Sequence, residues 1–152
     1  MTDQRPTFDD RMPDDHAEMT AAELTDALCA LHPDIQALRD IVLAHGGTGL
    51  RVAAPDPDIT AMISRGRHAP GLRALVLPGV SRQAHRDAAR RRADHGHQIA
   101  TGYALHPDGL WREHSWTVDP DGRPVESAGA RNAYFGFVLT DDEADEFTAG
   151  NP

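Results

Sequence analysis

The residues best equipped for chemistry lie between Gly102 and Val138, where His114-Ser115-Trp116 and Val125-Glu126-Ser127 flank a short reversal of the chain. An imidazole held by a carboxylate is the general-base half of a nucleophile–His–carboxylate site. The acid fixes the ring's tautomer and raises its basicity. The spacing predicts that Glu126 takes the Nδ1 proton of His114. The competing reading is a half-buried strand histidine beside a glutamate that ends an edge strand. The stretch offers no evident nucleophile to complete the set.

The turn decides whether the two residues can meet. Asp119-Pro120-Asp121-Gly122 has Asp first, φ-restricted Pro second and Gly fourth. That order suits a type I turn followed by a left-handed glycine, the three-residue hairpin loop with a bulge. In that register Asp119 faces Arg123, Val118 faces Pro124 and Trp116 faces Glu126. His114 and Glu126 then share a face as diagonal neighbours, ~7–8 Å apart at Cα. A two-residue loop would shift the register by one and separate them.

The elements that must carry this hairpin follow from period and punctuation. Thr20 and Glu23 form a capping-box pair ahead of the apolar face Leu24, Ala27, Leu28 and Leu31. His32-Pro33 ends that helix, and Pro33 can open a second one with the face Ile35, Leu38, Ile41 and Val42, closed at Gly46-Gly47. A short helix is expected over 58–64 and a brief strand or buried loop at Leu75-Val76-Leu77. Ser81 reads as the N-cap of a helix running to about Ala93, stopped by His95-Gly96. Beyond it the period becomes two, and residues 98–105, 110–118, 123–127 and 132–139 read as four strands. Helices first and an antiparallel sheet afterwards indicate an α+β fold, with a single domain over 19–148. Residues 1–18, rich in aspartate and poor in apolar side chains, are expected to be disordered or loosely attached.

Composition narrows the function classes. The chain has 152 residues, 24 acidic against 15 basic side chains, and a net charge of −9. That balance argues against nucleic acid or an anionic membrane as partner. No apolar run approaches the ~18 residues of a membrane span and the N-terminus has no signal-peptide pattern, so a cytoplasmic location is expected. All 15 basic residues are arginine, a usage associated with high-GC bacterial genomes. One cysteine, Cys29, excludes an internal disulfide and a cysteine-rich zinc site. It lies among helical apolar positions and reads as core.

A helix, a Gly-Tyr strand, a His-x-Trp strand and a strand ending in an acid resemble the papain-like and transglutaminase-like cysteine enzymes. Gly102-Tyr103-Ala104, His114-Ser115-Trp116, Val125-Glu126-Ser127 and Tyr134-Phe135-Gly136 carry that resemblance, which covers roughly residues 80–139. It is similar to a pattern in which Cys begins the helix, His heads one strand and Asp the next. The resemblance implies a papain/transglutaminase-like core with His114 as general base and Glu126 as orienting acid. It sets Gln83-Ala84-His85-Arg86-Asp87-Ala88 against the nucleophile motif, with Ala84 at the cysteine, and implies Trp116, Tyr103 and Gln83 as substrate-binding. The implied activity is that of a cysteine-type hydrolase or acyl/amide transferase, without cofactor, acting on an amide, isopeptide or thioester. Its substrate would be a peptide, a protein or a small acyl compound. Alanine has no nucleophilic atom. Three explanations stay open: a deliberate Cys→Ala change, a natural pseudoenzyme, or a displaced match with Ser81 or Ser115 as hydroxyl nucleophile. The rival class is a non-catalytic peptide- or protein-binding module on the same scaffold.

The sequence holds three further signals. Eight of the 15 arginines fall within residues 65–92, with Arg82, Arg86 and Arg90 on one helical face. Such a run either binds an anion or is a solvated face paired with the acidic termini. His95 and His97, with His114 and Glu126, suggest a metal, but no His-Glu-x-x-His spacing is present and no metal is expected. Gly46-Gly47-Thr48-Gly49 lacks the Gly-Lys-Ser/Thr of a phosphate loop and reads as a helix end.

Overall fold

The computed structural model describes residues 19–78 and 81–152; the segment 1–18, expected to be loose, lies outside them. Helix α1 spans Ala21–Leu31 and starts at a reciprocal capping box, Thr20 Oγ1 accepting from Glu23 N–H and Glu23 from Thr20 N–H. Helix α2, Pro33–Ala44, has proline in its first turn, where a missing N–H costs nothing. Then follow β1 (Gly49–Arg51), α3 (Ile59–Arg65), β2 (Arg67–Pro70), a 3₁₀ turn (Gly71–Arg73) and β3 (Leu75–Val76). Helix α4 runs Ala84–His95 and ends at Gly96, whose φ of 68° is left-handed. Strands β4 (Gln98–Leu105), β5 (Leu110–Val118), β6 (Pro124–Glu126) and β7 (Ala133–Val138) follow, and α5 (Asp141–Gly150) closes the chain behind a second capping box, Thr140 with Glu143.

The fold is α+β, but the sheet is larger and less uniform than the antiparallel one expected. Its order is β2-β7-β4-β5-β6-β3, and β1 joins β5 off that path. The pairs β1–β5 and β3–β6 are parallel; the others are antiparallel. Strands β1 and β2 escaped a period-two reading because they are three and four residues long, too short to show alternation, whereas β3 is the brief strand that Leu75-Val76-Leu77 allowed. They take positions beside strands whose edges the four longer-range expectations had left open.

Alternation along β4, β5 and β7 divides the sheet into two faces. One carries Tyr103, Leu105, Trp111, Phe135 and Phe137, packed with Leu28, Ile35, Leu38, Val42, Ile59 and Met62 of α1–α3. Complete burial of such side chains contributes about 1.5–3 kcal/mol each. On the same face Ile99 packs with Ala88 of α4 and Ala144 of α5. The opposite face is a smaller cluster of Ala100, Ala104, Trp116 and Tyr134.

Strand β5 is bound along its length by β4, from Gln98↔Val118 to Leu105↔Trp111. On its other edge β1 takes residues 110–112 and β6 takes residues 117–118. Between them, residues 113–116 have no strand partner on that side among the described residues.

Candidate active site

The hairpin loop forms as its residues dictate. Gly122 has φ of 80°, and its N–H donates to Asp119 O at 2.9 Å. The Asp119 carboxylate accepts from the N–H groups of Asp121 and Arg123 at 3.0 and 2.9 Å. Val118 pairs with Pro124 and Thr117 with Val125, which puts Glu126 across from Trp116 and on the face of His114.

His114 Nε2 lies 2.9 Å from both carboxylate oxygens of Glu126. The bond therefore uses Nε2, not the expected Nδ1. A glutamate approaching diagonally reaches past the ring to its distal nitrogen, because it has one methylene more than aspartate. Glu126 also accepts from Tyr134 Oη at 2.7 Å and from Ala128 N–H at 2.9 Å. It is fully buried, and His114 is 5% exposed. Burial alone raises the Glu126 pKa, but the bond and charge of His114, then the donors Tyr134 and Ala128, outweigh it and hold the carboxyl below its ordinary 4.5. Burial first, and then the charge of Glu126, push the Tyr134 phenol well above its usual range, so it stays a donor. With Nε2 committed to an ionised carboxylate, the ring is held in one orientation. Nδ1 has no hydrogen-bond partner among the described residues.

Aromatic rings back this pair. Trp116 stacks with the His114 ring at 6.0 Å between centroids and meets Tyr134 at 4.8 Å. Glycine opposite makes room: His114 pairs with Gly102, and Gly102 with Gly136. A Cβ on Gly136 would lie 2.3 Å from Thr101 O and 2.8 Å from Trp116 Cη2.

In front of the pair, by the unpaired stretch of β5, opens a pocket of about 570 Å³. His114 lines it with Ala84 and His85 from the first turn of α4, and Arg131 from the loop after β6. Of the residues singled out in the sequence, Ser81, Arg82, Gln83, Ala84, Arg86 and His114 line this pocket, and Glu126 stands behind His114. Trp116 is buried, 6% exposed, and supports the ring without lining the pocket. Tyr103 is placed elsewhere: it pairs with Glu113, one residue out of phase with His114, and so points to the helix-packed face. It borders a separate cavity with Asp56 and Asp58.

The hydroxyl candidates have other tasks. Ser115 is 2% exposed and faces away from His114, in a chain from His85 Nδ1 (2.5 Å) through its Oγ to Thr101 Oγ1 (3.2 Å). That chain fixes the start of α4 on the sheet. Ser81 is not the N-cap of α4; Gln83 occupies that position. The Ser81 N–H is taken by Ser127 O at 2.9 Å, which keeps the segment extended beside β6, while its Oγ accepts from Gln83 N–H. Asp87 accepts from Ser127 Oγ at 2.9 Å, tying α4 to the end of β6.

Cys29 is buried, and burial pushes its thiol pKa up, against any nucleophilic use. Gly46 and Gly47 form the end of α2, where Gly46 O accepts from Trp111 Nε1 at 2.9 Å. No cluster of three or more His, Cys, Asp or Glu side chains suited to a metal occurs among the described residues. No helix among them is long and apolar enough to cross a membrane. Tyr134 and Arg131 were not picked out as site residues from sequence. Parity signals Tyr134, which alternates with Gly136 on the His114 face; nothing local signals Arg131. Comparison with family models, with curated proteins and with solved structures gives no match.

Proposed function

We propose that this pocket is the site of a papain/transglutaminase-like cysteine hydrolase or acyl/amide transferase in which Ala84 stands at the nucleophile position. The observation that carries the reading is the free Nδ1 of a buried, carboxylate-held His114, on a pocket shared with the first residue of a 12-residue helix. A thiol at position 84 would feel the positive end of the α4 dipole, which favours the thiolate. His114 would take the thiol proton on Nδ1, with Glu126 stabilising the imidazolium, and return it to the leaving amine or thiol after attack on the carbonyl. With alanine the covalent step has no nucleophile. The methyl group at this point favours the second reading, a cleft that holds a peptide, protein or acyl ligand without cleaving it.

Installing the thiol is the direct test. Ala84→Cys is expected to react with iodoacetamide well below the ordinary thiol pKa of about 8.5, and His114→Ala in that background to abolish the enhancement. An ordinary thiol titration in both proteins overturns the reading. Cys29 is buried, so wild type supplies the blank.

A further inference from the structure

The charge on this pocket is opposite to that of the chain. Arg82, Arg86, Arg112 and Arg131 line it against one carboxylate, Glu113, in a protein of net charge −9. Arg112 is shared with Asp108 at 2.9 Å. Arg131 is tethered through Nη1 to the carbonyls of Ala128, Gly129 and Ala130. That tether holds its guanidinium beside the pocket, so little rotamer freedom remains to be lost on binding. Its Nε is buried and has no partner among the described residues.

Backbone donors and one ring nitrogen converge with these guanidinium groups. No side chain caps α4, and the N–H groups of His85 and Arg86 have no acceptor among the described residues. Unsatisfied N–H groups and the helix dipole favour an anion there. Independently, His114 is 5% exposed and reaches the pocket with Nδ1 unpartnered. With Nε2–H bonded to Glu126, Nδ1 presents a lone pair to the pocket and can accept from a donor on a ligand.

We propose that the pocket binds the phosphate group of a small phosphate monoester. A single carboxylate would offset one of the surplus positive charges. A phosphate monoester carries up to two negative charges and presents three oxygens, enough to meet the helix N–H groups and a guanidinium together, and when it retains one proton its P–OH donates to His114 Nδ1. The volume of about 570 Å³ exceeds what a bare phosphate fills and leaves room for the organic part of an ester. The inference rests on the proposed function's assignment of this pocket as the ligand site, but not on position 84 having held a thiol.

Calorimetric titration of the full chain at low salt tests it, with inorganic phosphate, phenyl phosphate and acetate as probes. Phosphate is expected to bind saturably at one site, phenyl phosphate more tightly, and acetate without saturation. Arg86→Gln, at an exposed position, is expected to weaken phosphate binding about tenfold. Arg67→Gln on β2, exposed and outside the pocket, is expected to leave it unchanged. Absence of saturation, equal binding of acetate, or equal losses in the two arginine variants overturns the inference. Thiol activation in Ala84→Cys is read separately. Activation without phosphate binding removes only the ligand class. Phosphate binding without activation leaves a phosphate pocket and removes the cysteine-enzyme reading.

Discussion

Glu126 holds three donors at full burial: a ring nitrogen, a phenol and a backbone N–H. Removing the phenol isolates one of them. Tyr134→Phe is expected to cost about 1.5–3 kcal/mol in denaturant unfolding, the value of a hydrogen bond to a buried charge. Glu126→Gln should cost more, because it strips the charge that the other two donors face as well. A Tyr134→Phe protein as stable as wild type would mean that the phenol adds nothing to holding the carboxylate. At this scale parity was legible: the Asp-Pro-Asp-Gly loop sets the register, and register puts His114 and Glu126 on one face. Reach was not legible. Which ring nitrogen meets the acid depends on side-chain length and approach angle, and Tyr134 arrives from β7, which pairs with β4 and with neither β5 nor β6.

The hairpin and its neighbours need glycine for two different reasons, and alanine substitution separates them. Gly122 has positive φ but nothing within 4 Å of a built Cβ. Gly122→Ala is expected to cost about 1–2 kcal/mol, the left-handed penalty alone. Gly136 has ordinary φ but no space, with backbone 2.3 Å from a built Cβ. Gly136→Ala is expected to cost about 1–3 kcal/mol and to displace Trp116, visible as a changed near-ultraviolet circular dichroism band. An unchanged band would show that the sheet yields without moving the indole. The long elements were legible because period and caps agree over many residues, as in α1, β4 and β5. The segments β1 and β2 were not. Their pairing depends on which strand edges remain open once the larger sheet has formed, a property of no local window.

Opposite charges are distributed unevenly over the molecule. The acidic helix α5 draws on the arginine-rich segment through Arg92 with Asp145 at 2.8 Å and Arg65 with Glu143 at 2.9 Å, while Arg82 and Arg86 remain at the pocket. The arginine run is therefore partly a paired face, as one sequence reading held. Stability should fall steadily on acidification. Burial first, joined by neighbouring positive charge, lowers His68, His97 and His106 from 6.5. The unfolded chain binds those protons first, so stability begins to fall as pH drops through 6.5. Glu126 lies below 4.5, and Glu143, bonded first by Arg65 and then by Thr140 N–H, is held at about 2. Their contribution is complete above 4.5 and is lost as pH falls towards those lower values. Asp58, raised mainly by burial, opposes this in part. Urea midpoints measured from pH 7 to pH 3 should decrease monotonically; a maximum near pH 5 would contradict this balance.

The two tryptophans sit on opposite sides of one sheet, each in a different kind of contact. Trp111 is sealed against the helices with its indole N–H on Gly46, and Trp116 lies against the imidazole that borders the pocket. The chain thus contains its own optical pair. A ligand that fills the pocket against that imidazole is expected to alter emission from Trp116, and Trp111 supplies the internal reference. With Trp111→Phe and Trp116→Phe to separate the signals, events at the pocket can be followed by light without attaching a label.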